Sequence, residues 1–198
     1  MSGIAGIFFR DAREVERPHL QRLLRPMERR GPHGSGAWRE GSVGFVHTAL
    51  WSTPESLEEH LPLTDARGEL AITADARIDN REEVLGALGI DRPRAEKLGD
   101  GELILRAYQS WGESCTKRFV GDFAFAIWDG RRRLLYWSAS SRQRVVRSTL
   151  CARADFGSTP ALSDPELPNH QKPELFFGGH ELDARARRRG ARSCGLVR

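Results

Sequence analysis

Cysteine is scarce in this chain of 198 residues. Its three thiols, Cys115, Cys151 and Cys194, are odd in number and far apart. That spacing indicates neither a disulfide framework nor a C-x-x-C metal site and leaves buried or incidental thiols. Long apolar runs are missing too, since none approaches the roughly 18 residues that a membrane span needs. No basic stretch followed by an apolar segment and a small-residue cleavage site opens the chain, so a cytoplasmic protein is expected. Histidines at metal-ligand spacing are absent: His33 falls in a turn and His47 in a strand, and both read as structural. Nor does an aromatic stacking pattern accompany the basic residues. The net charge of +4 is unevenly placed, with 11 basic and 6 acidic side chains in 138–198 against 20 and 21 before it. The excess belongs to the C-terminal segment, and neither a nucleic-acid nor a membrane partner is expected.

What is present is dense organisation up to about Trp137. "GIAGIFF" reads as a strand. "RPHLQRLLRPMERR" reads as a helix with Pro18 in its first turn, apolar residues at spacings of three and four, and Pro26 to bend or shorten it. A turn over "RGPHGSG" leads to a strand over "SVGFVHTALW" and a loop over "STPESLEEHLP". "GELAITADARI" continues as a strand with Leu70, Ile72 and Ala74 on one face. Asp79 or Asn80 can cap the helix "REEVLGALG", which Gly89 ends, and Asp100 can cap "GELILRAYQSWG". A short helix over "ESCTKRFV" precedes two apolar runs joined at Asp129 and Gly130, a hairpin signal. Asp65 and Glu69 read as solvated carboxylates, and Gly31 and Gly34 as backbone devices, since their segment leaves a helix and does not open one.

The start of the chain carries a chemical hint. Removal of Met1 would leave on Ser2 a hydroxyl and a free amine on one carbon. An α-amino group titrates near pH 8, so an appreciable fraction is an uncharged base able to take the hydroxyl proton.

Five segments in order, "MSGIAGIF", "RRGPHGSG", "ARIDNREEV", "GDGELILRAYQSWGE" and "VGDFAFAIWDGRRR", together resemble the glutaminase domain of asparagine synthetases, a class II glutamine amidotransferase. The resemblance covers residues 1–137. It implies an α+β fold, a four-layer α/β/β/α sandwich of two mainly antiparallel sheets of the N-terminal nucleophile hydrolase type. It also implies hydrolysis of glutamine through an acyl intermediate on an N-terminal cysteine, with ammonia passed to a domain that activates a carboxylate with ATP.

Against that pattern the chain departs where the chemistry lies. Ser2 stands at the cysteine position, and a hydroxyl is the poorer nucleophile. Ala49, in "HTAL", stands where the family places the arginine that clamps the substrate carboxylate. Asp75, Ala76 and Arg77 align with the family's "NGE", reversing the sign of its third position. Asp100 matches the aspartate that receives the substrate ammonium group, and it reads equally well as a helix cap. Glutamine binding is therefore not expected to survive, and two readings stand: a hydrolase using Ser2, or a non-catalytic scaffold like that of lasso-peptide cyclases or β-lactam synthetases. No "SGGxDS"-like loop occurs, so no cofactor is expected in this chain, and ATP and Mg would belong to a missing synthetase domain. Partners implied are such a synthetase domain or a second copy in a homodimer. Residues 138–198 form a basic, low-order tail in this reading, from a shifted frame, a truncation or a disordered extension, and "CARADFG" resembles the family's next strand either as a displaced echo or by coincidence.

Overall fold

The computed structural model describes residues 2–29, 31–51, 57, 59–95 and 98–140, and the backbone of 144–149, 174–179 and 193–197. Two five-stranded sheets form its centre. In chain order the strands are β1 (Gly3–Phe8), β2 (Gly34–Glu40), β3 (Val43–Ala49), β4 (Leu63–Thr64), β5 (Leu70–Ile78), β6 (Gly121–Asp129), β7 (Leu134–Ala139), β8 (Arg144–Thr149), β9 (Glu174–Gly179) and β10 (Ser193–Val197). One sheet has the order β2-β3-β1-β9-β8, the other β10-β7-β6-β5-β4, and every pairing is antiparallel. The helices are α1 (Arg17–Leu24), α2 (Arg81–Leu88), α3 (Arg92–Ala95) and α4 (Asp100–Trp111).

The period-two alternation of the strands separates three apolar layers. On the first sheet Ile4, Phe8, Val43 and Phe45 face the second sheet, where they meet Ala71, Ala124, Ala126, Trp128, Leu135 and Trp137. The opposite faces carry Ala5, Ile7 and Val46, which pack on Leu20 and Leu23 of α1. On the second sheet Leu70, Ile72 and Ala74 turn outward, as their spacing predicts, and pack with Ile104, Ala107 and Tyr108 of α4 and Val84 of α2. The result is an α/β/β/α sandwich of the N-terminal nucleophile hydrolase type. Alanines on the inner face of the second sheet allow close approach, and Thr73 donates its hydroxyl to the Val46 carbonyl across the sheets at 3.2 Å.

Local chemistry accounts for most boundaries. Pro26 lies in a 3-10 turn, Arg25–Met27, that ends α1 after eight residues. Gly89 leaves α2 in a left-handed conformation with φ 68°, which costs glycine little. Beyond "ESCTKRFV", which forms a 3-10 helix over Gly112–Arg118, Gly121 adopts φ +140°. A Cβ there would overlap the Arg77 carbonyl oxygen. The hairpin loop runs from Gly130 to Arg133, closed by the Arg132 N–H donating to Asp129 Oδ1 at 3.1 Å.

Two features depart from the sequence reading. "GSGAWRE" forms the strand β2, where only a turn is read from its glycines; as an edge strand with mostly exposed residues it shows little apolar alternation. Asp100 is the first residue of α4 and not its cap, because Gly99 holds the extended cap conformation. Within 138–198, the backbones of β9 and β10 pair with β1 and β7, and that of β8 with β9. Most of that segment, including "CARADFG" and "DARARRRGAR", lies outside the described residues. No helix among the described residues is long and apolar enough to cross a membrane.

Gly121→Ala is expected to lower the urea midpoint at unchanged m-value, with a loss of about 2 kcal/mol from the positive φ and the steric overlap combined.

Candidate functional site

β1 starts with Gly3 opposite Thr48, which brings Ser2 to the end of β3. The Ser2 Oγ accepts the Leu50 N–H at 3.1 Å. On the other flank of β3, His33 Nδ1 accepts the Trp51 N–H at 3.0 Å, and its ring stacks on the Trp51 indole at 5.3 Å. Two successive amides past the end of β3 are thus held by side chains from either side. Ala49 closes the strand at 9% exposure and offers only a methyl group. In the same alternation as Phe45, His47 lies buried among the inward-facing residues. Burial pushes its pKa down to about 4, so the ring is neutral at pH 7. Its contribution to stability is fully present above the usual 6.5 and is lost as pH falls toward 4.

The remaining candidates lie along β5 and at the start of α4. Asp75 and Arg77 share the alternation of Ala71 and point to the inter-sheet side, whereas Ala76 turns outward and packs on the helix-side cluster. Arg77 Nε pairs with Asp79 at 3.0 Å, with 66% of its side chain exposed. Asp100 receives the Ile78 N–H at 3.1 Å, so it sits against the peptide that follows Arg77. Its other oxygen takes Arg81 Nη1 at 2.6 Å, both side chains being 18% exposed. The same guanidinium donates from Nη2 to the Ala95 carbonyl at 3.0 Å and to the Leu98 carbonyl. The Thr73–Val46 bond ties the two groups of candidates: Ala49 is three residues beyond Val46, and Asp75 two beyond Thr73. Each is therefore within about 10 Å of the tie along its strand.

Two residues that sequence reasoning passed over matter here. Arg81 reads as an ordinary helix residue, yet a cation at the positive end of α2 opposes the helix dipole. That conflict is a legible signal for a carboxylate partner. Glu59 reads as part of a loop; it lies over Gly99 and Gly101, either side of Asp100, and accepts the Gly101 N–H at 2.7 Å. Only its fold places it there. Among the described residues no group of three His, Cys, Asp or Glu side chains could hold a metal ion. Cys115 is buried, and burial pushes its thiol up to about 12, which makes it an inert thiol.

Chemically, the arrangement holds one hydroxyl that already accepts a backbone donor and one carboxylate already neutralised by the chain's own guanidinium. Arg81→Ala is expected to cost about 3 kcal/mol in urea denaturation, because Asp100 and two carbonyls lose a shared donor in a mostly buried site. Arg81→Lys should recover only part of that, since an ammonium cannot present the planar fork.

Comparison with known proteins agrees with this architecture. Residues 1–145 match a family model described as a glutamine amidotransferase domain. Asparagine synthetase [glutamine-hydrolyzing] 3 of Bacillus subtilis is 30% identical over 138 residues, covering 69% of this chain and 22% of that protein. A putative asparagine synthetase [glutamine-hydrolyzing] of Mycobacterium bovis is 30% identical over 159 residues, covering 71% of this chain and 21% of that one. The chain thus spans about a fifth of the length of the curated relatives it matches. Among solved structures, the glutamine phosphoribosylpyrophosphate amidotransferase of B. subtilis superposes with a TM-score of 0.58 at 13% identity, covering 88% of this chain and 41% of that one; this likeness is one of fold. The chain belongs to the glutamine amidotransferase domain family, as a class II, N-terminal nucleophile hydrolase-type domain related to the glutaminase domains of asparagine synthetases.

Proposed function

We propose that this domain no longer hydrolyses glutamine and serves as a non-catalytic module that docks against an ATP-dependent synthetase domain. The observation that carries the reading is the Asp100–Arg81 pair. A carboxylate that must receive a substrate ammonium group cannot also be neutralised at 2.6 Å by an internal guanidinium without a competition that the immobile partner wins. Three further features support it. Ala49 has no charge for a substrate carboxylate. Arg77 brings a cation to a position where the family has an anion. Ser2 uses its Oγ as acceptor for the Leu50 amide and lacks the nucleophilicity of a thiolate.

Each lost charged hydrogen bond removes about 1.5–3 kcal/mol. Two or three such losses place glutamine affinity beyond the millimolar range. Docking depends on distributed contacts, which the substitutions at Ala49, Asp75, Ala76 and Arg77 leave intact. A synthetase that joins a carboxylate to an amine already present in its own substrate needs no ammonia, and that is the setting in which such a module persists. ATP and Mg are bound by the synthetase partner in this reading.

Calorimetric titration with glutamine is expected to give no Kd tighter than about 1 mM, or roughly −4 kcal/mol, while a separately expressed synthetase domain associates measurably. Tight glutamine binding would return Ser2 to the role of nucleophile. Ser2→Cys is expected to release no ammonia from glutamine, because a better nucleophile does not restore the clamp at Ala49 or the sign at Arg77; ammonia release at rates well above background would show the pocket to be intact.

A further inference from the structure

The corner that leads into β2 is seated on the end of β3 by its backbone. A Cβ on Gly31 would overlap the Thr48 carbonyl carbon and the Ala49 nitrogen, so the chain passes there with no room for a side chain. Two residues on, the His33 N–H donates to the Ala49 carbonyl at 3.1 Å. The His33 ring then returns to the same strand exit, where its Nδ1 accepts the Trp51 N–H at 3.0 Å. Between these contacts Ser2 Oγ accepts the Leu50 N–H. Three successive residues, Ala49, Leu50 and Trp51, are thus each held by a polar contact. Of these contacts, the one at Trp51 is made by an imidazole, the side chain whose charge ordinarily changes between about pH 5 and 8.

The contact requires one protonation state. Nδ1 accepts an N–H through its lone pair, so the ring bound here is the neutral imidazole with its proton on Nε2. In the imidazolium both nitrogens are donors, and no rotation of the ring then offers the Trp51 amide an acceptor. The stack on the Trp51 indole, with 5.3 Å between centroids and 27° between planes, does not resist the charge, because a cation is attracted to an aromatic face. We propose that His33 is an acid-released pin at the exit of β3: the neutral ring holds the Trp51 peptide, and protonation exchanges that hydrogen bond for a cation on the indole face, freeing Trp51 while Ala49 and Leu50 stay fixed.

The surroundings leave the direction to this hydrogen bond. Among the described residues the ring makes no ion pair. Ala49, Leu50 and Trp51 from the end of β3 carry no ionisable side chain, and from the start of β1 comes the Ser2 hydroxyl, with the α-amine that removal of Met1 would leave there. Glu28 and Arg29 are the exposed charged residues on the segment leading to the corner, and Arg39 and Glu40 stand at the far end of β2. The pin is therefore closed while the ring is neutral and opens as pH falls through the ring's own titration. Trp51 is 40% exposed, so water takes up its freed N–H and no buried donor is left unpaired. The device belongs to the strand exit beside Ser2 and is independent of the docking proposed above.

The test is NMR on the full chain between about pH 5 and 8, a range that leaves out His47, whose value lies at about 4. Ring nitrogen shifts of His33 report its tautomer and titration, and water exchange of the Trp51 and Leu50 amides, corrected for intrinsic rates, reports the pin. The neutral ring is expected as the Nε2–H tautomer. Protection of Trp51 should fall about fivefold on acidification, the loss of one ordinary hydrogen bond, at the midpoint where the ring titrates, while Leu50 keeps its protection. In His33→Asn, whose Oδ1 accepts without titrating, Trp51 protection should be flat across the range; in His33→Phe, which keeps a ring but no acceptor, it should be low throughout. An Nδ1–H tautomer, flat Trp51 protection in the wild type, loss of Leu50 together with Trp51, or the wild-type pH profile in His33→Asn would each overturn the pin. Should the variants fail to fold, coincidence or disagreement of the ring and Trp51 midpoints in the wild type decides the matter by itself.

Discussion

The guanidinium of Arg81 is the point through which the candidate site is assembled. It reaches Asp100 on α4 and the carbonyls of Ala95 and Leu98 that precede it, and Asp100 passes the connection to β5 through the Ile78 amide. One side chain thus satisfies the exit of α3, the entry of α4 and the carboxylate that reads the end of β5. The planar five-donor fork of arginine suits such a junction, where each acceptor is partly removed from water. The same saturation neutralises Asp100 from within the chain, so the stability of the corner and the electrostatics of the candidate site have one physical origin.

A second constraint is the distance between the sheets. Ala71, Ala124, Ala126 and Ala139 line the inner face of the second sheet, and small side chains let the Thr73 hydroxyl reach the backbone of β3. Ser2, Ala49, Asp75 and Arg77 all fall on inward-facing positions of their strands or beside them. These candidate positions therefore lie at the inter-sheet faces, where the fold brings them to one side of the molecule. Fold and chemistry are separable because the former rests on many dispersed apolar contacts and the latter on a few charged groups.

Proton binding acts on the structure with opposite signs at its two sides. His47 is kept neutral by burial and favours higher pH, while Glu59 is pushed toward its neutral form and favours lower pH. Across the interval where both titrate, one gain offsets the other. Each is a consequence of placing an ionisable group where water is scarce, without a dedicated counter-charge of its own.

The sequence by itself determined the layers. Leu70, Ile72 and Ala74 in one face of β5, the spacing of Leu103, Ile104, Ala107 and Tyr108 in α4, Pro26 at the end of α1 and Gly89 after α2 are all local signals, and local signals are read by the backbone within one turn or one strand. The identities of Ser2, Ala49 and Arg77 were equally legible, since the identity of a side chain needs no fold to be known. The edge strand β2 was not, for its exposed residues carry no apolar alternation. Nor was the placement of Asp100 inside α4, because Gly99 adopts the cap conformation that the aspartate's chemistry suggests for itself. Only the tertiary structure decided the partners: Arg81 with Asp100 across 19 residues, Glu59 with Gly101 across 42, Ser2 with Leu50 across 48. Such pairings are fixed by how sheets and helices cross in space, and no periodicity along the chain encodes them.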